Sequence, residues 1–205
     1  MQRDMALLKK VFIHEMGHYV AQELNHELYG IGRVSSIEFI RETSGEKIDY
    51  IGKTVSEKGI SVNDDNKLIN LPERIAELVY GCYFQSIYLD FTLEHCLDIN
   101  NKSANGHKDA WDIASGLKQF NVKNERQALY SFLHKEYFDD LKNYKSDLKS
   151  LFQFDVKEFL LATENGFTTD LNKVYKITSN FRKLHKEDFK GFVEKIKEII
   201  KWQNQ

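Results

Sequence analysis

The sequence predicts a mainly α protein with one small β-hairpin, an α+β chain organised around a buried histidine-bearing helix. Three observations carry this. Long segments repeat apolar residues at helical spacing, one stretch of about twenty residues is rich in β-branched and aromatic residues, and a single proline, Pro72, leaves the helices free to run long.

Taken in order, the first helix is expected over residues 4 to 28 and should stop near Gly30 and Gly32. The segments RVSSIEFIRE and KIDYIGKTVS, separated by the turn signal TSGE, read as a hairpin. NDDNK is a polar loop. LPERIAELVYGCYFQSIYL opens with Pro72 near a helix start and is apolar almost throughout, so it should be a buried helix. NNKSANG is a loop, and HKDAWDIASGLKQF starts another helix. From Asn124 onward the chain is charged and helical in pattern. NERQALYSFLHKEYFDDLKNYKSDLKSLF shows helical spacing, DVKEFLLA begins with a capping-box pair, Asp155 and Glu158, and FVEKIKEIIKW is an amphipathic last helix. The organisation expected is a core over residues 1–120 and a helical part over 121–205 packed on or beside it.

At 205 residues, 41% hydrophobic and 29% charged, the chain has the composition of a folded domain. A net charge of −2 supplies no field for nucleic acid or anionic lipid. No signal-peptide pattern, no run of 18 apolar residues and no GxxxxGK[ST] loop occurs, so the expectation is a cytoplasmic protein without a membrane span or a nucleotide motor of its own. Cys82 and Cys96 read as small buried thiols in a reducing compartment, with a disulfide as the alternative.

The chemistry is concentrated in VFIHEMGHYV, residues 11 to 20. At about 100° per residue on a helix, His18 lies roughly 40° round from His14 and one turn along, so both rings can reach one ion. Glu15 falls beside the pair, badly placed as a ligand and well placed to reach a water on the metal. HExxH chemistry therefore uses the histidines as ligands and the glutamate as general base. Gln22 and Asn25 lie in the same wedge, while Leu8, Phe12, Met16, Tyr19 and Val20 cover a broad apolar side. A helix so surrounded is buried, and its polar groups must be satisfied inside the protein; a metal does this efficiently. A catalytic zinc needs a third protein ligand. Glu73 and Glu77 offer one on a second helix, and His107, Asp109 and Asp112 offer one at a loop-to-helix junction. His26, His95, His134 and His185 have no ligand-like spacing.

The order HExGH, a hairpin with a V-x-x-I strand, RIAELVYG and NGHKDAWDIASGL resembles the peptidase domain of the FtsH-type metallopeptidases, over residues 8 to about 120. That resemblance implies a zinc metallopeptidase with His14, His18 and Asp109 as metal ligands and Glu15 as the catalytic base. It also implies a strand beside the site, here residues 34 to 40, that pairs with an extended polypeptide substrate. The sequence departs from the family in several places. Phe84 and Gln85 stand where the family has Ala-Glu, only Gly81 of a glycine pair is present, Lys108 replaces an asparagine, and the chain between His18 and Asp109 is longer. Neither an ATPase module nor a membrane anchor is in this sequence, so the implied activity is ATP-independent cleavage of chains already unfolded or extended. Trp111 is expected in the core, with the cleft as an alternative. Residues 121–205 are open to use as a packing partner, a homo-oligomer interface or a docking surface. Two other readings compete: a regulatory zinc peptidase with Glu73 or Glu77 as third ligand that cleaves a specific partner, and a catalytically silent binding module that keeps its zinc for stability.

Overall fold

A helix apolar in most directions can be stable only inside a protein, and the first helix is placed there. In the computed structural model, which describes residues 2–44, 47–57, 70–102, 104–122 and 125–202, it forms α1 (Gln2–Tyr29), and every residue from Val11 to Asn25 is buried. The side chains of residues 2, 3, 44, 47 and 142 are outside that description. Gly30 ends the helix at φ 71°, its N–H bonded to the His26 carbonyl at 3.0 Å. This left-handed position is one that glycine takes without a Cβ penalty.

The expected hairpin is present as β1 (Val34–Ser44) and β2 (Lys47–Ser56), antiparallel with Ile37 opposite Thr54 and Phe39 opposite Gly52. Directly opposed residues share a face, so Ile37, Phe39, Tyr50, Gly52 and Thr54 lie on one side of the ribbon, where Ile37, Phe39 and Tyr50 are buried. The turn residues 45 and 46 and the polar loop NDDNK lie outside the described residues.

The second buried helix is α2 (Leu71–Leu89), with Pro72 in its first turn and every residue from Leu71 to Ile87 buried except Arg74. It packs closely on α1. A Cβ built on Gly17 would overlap the Tyr80 carbonyl oxygen and fall 2.8 Å from the Gly81 Cα, so a glycine on α1 lets the two backbones meet. The helix that carries Asp109 follows as α3 (His107–Gln119).

Beyond residue 121 the structure departs from an all-helical expectation. The stretch 124–152 is broken into α4 (Arg126–Ser131), a π-helical turn (Phe132–Tyr137), α5 (Phe138–Lys142) and α6 (Lys145–Leu151). The π turn exposes the Leu133 carbonyl to the Tyr83 hydroxyl, which donates to it at 2.9 Å. Asp155 caps only one turn of 3-10 helix (Val156–Phe159), accepting from the Lys157 N–H at 3.1 Å, and does not start the α-helix its capping-box pair predicts. The chain then forms a second hairpin, β3 (Leu160–Thr163) and β4 (Gly166–Thr169). Phe39 pairs with Phe167, which completes an antiparallel sheet of order β2-β1-β4-β3.

The last helix, α7 (Leu171–Ile199), opens on Asp170, which accepts from the Asn172 N–H. Its apolar face, including Phe181, Phe189, Phe192, Val193 and Ile196, is buried, and ion pairs fasten it to both central helices: Arg182 to Glu27 at 2.6 Å and Lys197 to Glu73 at 3.0 Å. Among the described residues no helix is long and apolar enough to cross a membrane.

Replacing Gly17 by alanine forces α1 and α2 apart where backbone faces backbone. Gly17→Ala is expected to cost about 1–3 kcal/mol of stability by overpacking, read as a lowered urea midpoint with an unchanged slope; an unaltered midpoint would contradict the close contact.

Candidate metal centre

α1 presents His14 and His18 one turn apart, and α3 brings Asp109 to them from its first turn. His14 Nε2 lies 3.0 Å from His18 Nε2 and 3.1 Å from Asp109 Oδ2, and His18 Nε2 lies 3.7 Å from the same carboxylate oxygen. All three residues are at most 8% exposed. The room for the His18 ring comes from Gly81 on α2, where a Cβ would fall 2.5 Å from the ring's Cε1 and Nε2. His18 Nδ1–H donates to the Glu77 carbonyl at 2.9 Å, which orients the ring with Nε2 toward the other two groups.

Three acceptor atoms thus converge in a buried space, which is unfavourable unless a proton or a cation sits among them. Their spacing suits a zinc ion. Bonds of about 2.0–2.1 Å in a tetrahedral set give ligand-to-ligand edges of roughly 3.3–3.4 Å, and the three observed separations, 3.0, 3.1 and 3.7 Å, bracket that value.

The electrostatics follow the same logic. Burial pulls the His14 pKa down, but hydrogen bonds to Asp109 and Cys96 and their negative charge outweigh it, so the ring is held well above the usual imidazole value. Burial pushes Asp109 up, and the opposing pull of His18, His14 and Arg74 leaves it below the usual carboxylate range.

Glu15 sits next to this group. Its Oε2 accepts from the Thr54 hydroxyl at 2.8 Å, and a Cβ on Gly52 would lie 2.5 Å from its Cγ and Oε1. Two alternate residues of β2 therefore shape the pocket of this carboxylate, one by leaving space and the other by orienting it.

The remaining candidates for third ligand are held elsewhere. Glu77 pairs with Arg74 at 2.5 Å, Glu73 with Lys197 at 3.0 Å and Asp112 with Lys108 at 2.8 Å, and His107 falls in neither metal-competent group found among the described residues. Trp111 is 57% exposed, not in the core. Two positions along a helix turn a side chain about 200°, so Asp109 facing inward sends Trp111 out. Residues 34 to 40 also differ from expectation, because β1 is an interior strand, paired with β4 as well as β2 over Glu38–Ile40. The strand at the sheet margin beside Glu15 is β2.

Sequence reasoning missed the two cysteines as neighbours of the site. Both are free thiols and buried, in keeping with the small-thiol reading rather than a disulfide. Yet Cys96 Sγ is 3.9 Å from His14 Nδ1 and Cys82 Sγ is 3.9 Å from Asp109 Oδ2. The hydrogen bond from Cys82, working against burial and helped by His14, holds the Cys96 thiol down to about 5, whereas burial drives Cys82 well up. No sequence spacing signals this, since the four residues that meet come from four separate segments. A cavity of about 430 Å³ between α2, the π turn and α7, lined by Tyr80, Tyr137, His185 and Phe192, shares no residue with the cluster.

Comparison with protein families, with curated proteins and with solved structures finds no match to this chain.

The raised His14 pKa has a measurable consequence. Because the ring keeps its proton above the usual imidazole range, a cation must displace that proton to bind, and binding must weaken as pH falls. Calorimetric titration with zinc near pH 7, in buffers of differing ionisation enthalpy, should show about one proton released per ion; uptake without release, at an affinity independent of pH, would contradict the assigned protonation.

Proposed function

We propose that this chain is a zinc-dependent peptidase that cleaves unfolded or extended polypeptides without ATP, with His14, His18 and Asp109 as metal ligands and Glu15 as the general base. The observation that carries the reading is the convergence of three buried acceptor atoms at zinc-ligand spacing, with a further carboxylate on the adjoining helix position. The resemblance of residues 8 to about 120 to the FtsH-type peptidases points the same way.

Zinc, when held there, lowers the pKa of water toward neutrality and polarises a carbonyl oxygen. The chain's own groups supply the rest. Glu15 takes the proton from the attacking water and returns it to the departing amine. Thr54 keeps that carboxylate in one orientation by donating to Oε2, and Gly52 leaves the space it occupies. The Glu77 carbonyl holds His18 so that Nε2 faces inward. Asp109 contributes a negative charge that offsets part of the dication's charge in a buried site.

The margin of β2 is the main-chain edge nearest Glu15, and an extended polypeptide would align there by strand addition. Recognition of this kind reads backbone more than side chains, which suits substrates already unfolded. Glu73 and Glu77 are committed to Lys197 and Arg74, so a glutamate third ligand has no support in the packing.

The test is hydrolysis of a labelled, permanently unfolded polypeptide by the zinc-loaded protein without nucleotide. Glu15→Gln should retain zinc and lose about 10²–10⁴-fold in kcat. Gly52→Ala, which pushes on the same carboxylate, should also retain zinc and lose activity. Zinc-loaded parent that leaves the substrate intact, indistinguishable from Glu15→Gln, would defeat the peptidase reading.

A further inference from the structure

The His14 ring has two faces to its chemistry. Nε2 looks toward His18 and Asp109, while Nδ1 looks toward Cys96, 3.9 Å away. Cys82, Cys96 and His14 each offer a donor atom, and the three atoms lie within 4.8 Å of one another. An ion bound at about 2.3 Å to sulfur and 2.0–2.1 Å to nitrogen spans tetrahedral edges of roughly 3.8 Å between sulfurs and 3.5–3.6 Å between sulfur and nitrogen. The Cys96–His14 edge closes by about 0.3–0.4 Å, and no edge needs more than about 1.3 Å.

Buried thiols are ordinarily small apolar fillers, but these two are placed differently. In its thiol form Cys96 donates to Gln85 Oε1 at 2.8 Å, so a neutral oxygen stands beside the sulfur. Gly106 lacks a Cβ where one would overlap Cys82 Sγ, and its N–H holds the Cys96 carbonyl at 3.1 Å. Cys96 and Gln85 also line a cavity of about 110 Å³, which gives a small ion a way in.

We propose that Cys82, Cys96 and Nδ1 of His14 form a second cation position, selective for thiophilic ions such as Cd²⁺ or Cu⁺, that shares the His14 ring with the nitrogen–oxygen set. Two sulfurs and one imidazole hold thiophilic ions, the softer Cd²⁺ and Cu⁺ more tightly than zinc, whereas two imidazoles and a carboxylate offer a soft ion no sulfur. The ion takes the sulfurs as thiolates and Nδ1 as a lone pair, so any proton on either sulfur and the one on Nδ1 leave to solvent, and Gln85 Oε1 is the nearest further donor. An ion on Nδ1 draws electron density from Nε2 and so weakens the hold on a zinc ion across the ring. That inhibitory consequence rests on the peptidase reading; the position itself does not.

The experiment is a titration of metal-free protein with Cd²⁺ alone, followed by the thiolate-to-cadmium ultraviolet band and by ¹¹³Cd resonance. The chain has only two cysteines, so any thiolate signal reports this pair. The parent should give one ion with the band of two thiolates and a resonance in the mixed sulfur–nitrogen range. Asp109→Ala, folded by circular dichroism, should keep the band while losing zinc affinity. Cys82→Ser and Cys96→Ser should each weaken cadmium binding by at least about tenfold.

Parent protein with cadmium only in the nitrogen–oxygen range would overturn the proposal without recourse to any variant. So would loss of the band in folded Asp109→Ala, or single serine variants that bind as tightly as the parent, since the sulfurs would then act separately. A cadmium band in a parent that takes up no zinc would leave this position standing and defeat the peptidase reading alone.

Discussion

The contact of α1 with α2 at Gly17 is the constraint on which the site depends. Backbone meets backbone there, next to Tyr80 and Gly81, and this closeness has three consequences. It lays the His18 ring over Gly81, it puts the Glu77 carbonyl within reach of His18 Nδ1, and it carries Cys82 and Gln85 of α2 to the flank of His14 and Cys96. A larger residue at either glycine would separate the helices or displace the ring, and the donors would no longer share one space. The small residues are therefore part of the chemistry, although none carries a reactive group.

Charge balance sets a second constraint. The buried cluster holds a carboxylate, two imidazoles and two cysteine sulfurs in a core made mostly of aliphatic and aromatic side chains. Such a group is stable only if protons or cations are shared among its members. The opposite shifts of His14 and Asp109 express that sharing. The surrounding scaffold is tied down independently, by the pairing of β4 with β1 and by ion pairs from α7 to Glu27 and Glu73, so ordering of the site does not fall to the ion alone.

Much of this was legible in the sequence where the signal is local. The HExxH spacing places both histidines on one helical face, Gly30 marks the end of that helix, and Pro72 marks the start of the next. The first hairpin follows from β-branched and aromatic runs around a turn signal. For the second, LLATENGFTT carries an Asn-Gly pair between short β-prone runs, but the charged helical segments around it and the capping-box pair at Asp155 point to another helix. Trp111 was misplaced because an aromatic residue was read by its type and not by its angle from Asp109. The cysteines could not be placed from spacing at all: their meeting with His14 is a product of three-dimensional packing, permitted by the missing side chain at Gly106.

The proposed zinc ligands are nitrogen and oxygen from His14, His18 and Asp109, with Glu15 left to act on water. The most direct measurement is zinc X-ray absorption on parent protein loaded with one equivalent of the metal. The account predicts a first shell of nitrogen and oxygen only, at about 2.0–2.1 Å. A first shell with sulfur near 2.3 Å would place the zinc on Cys82 and Cys96 instead and contradict the assignment.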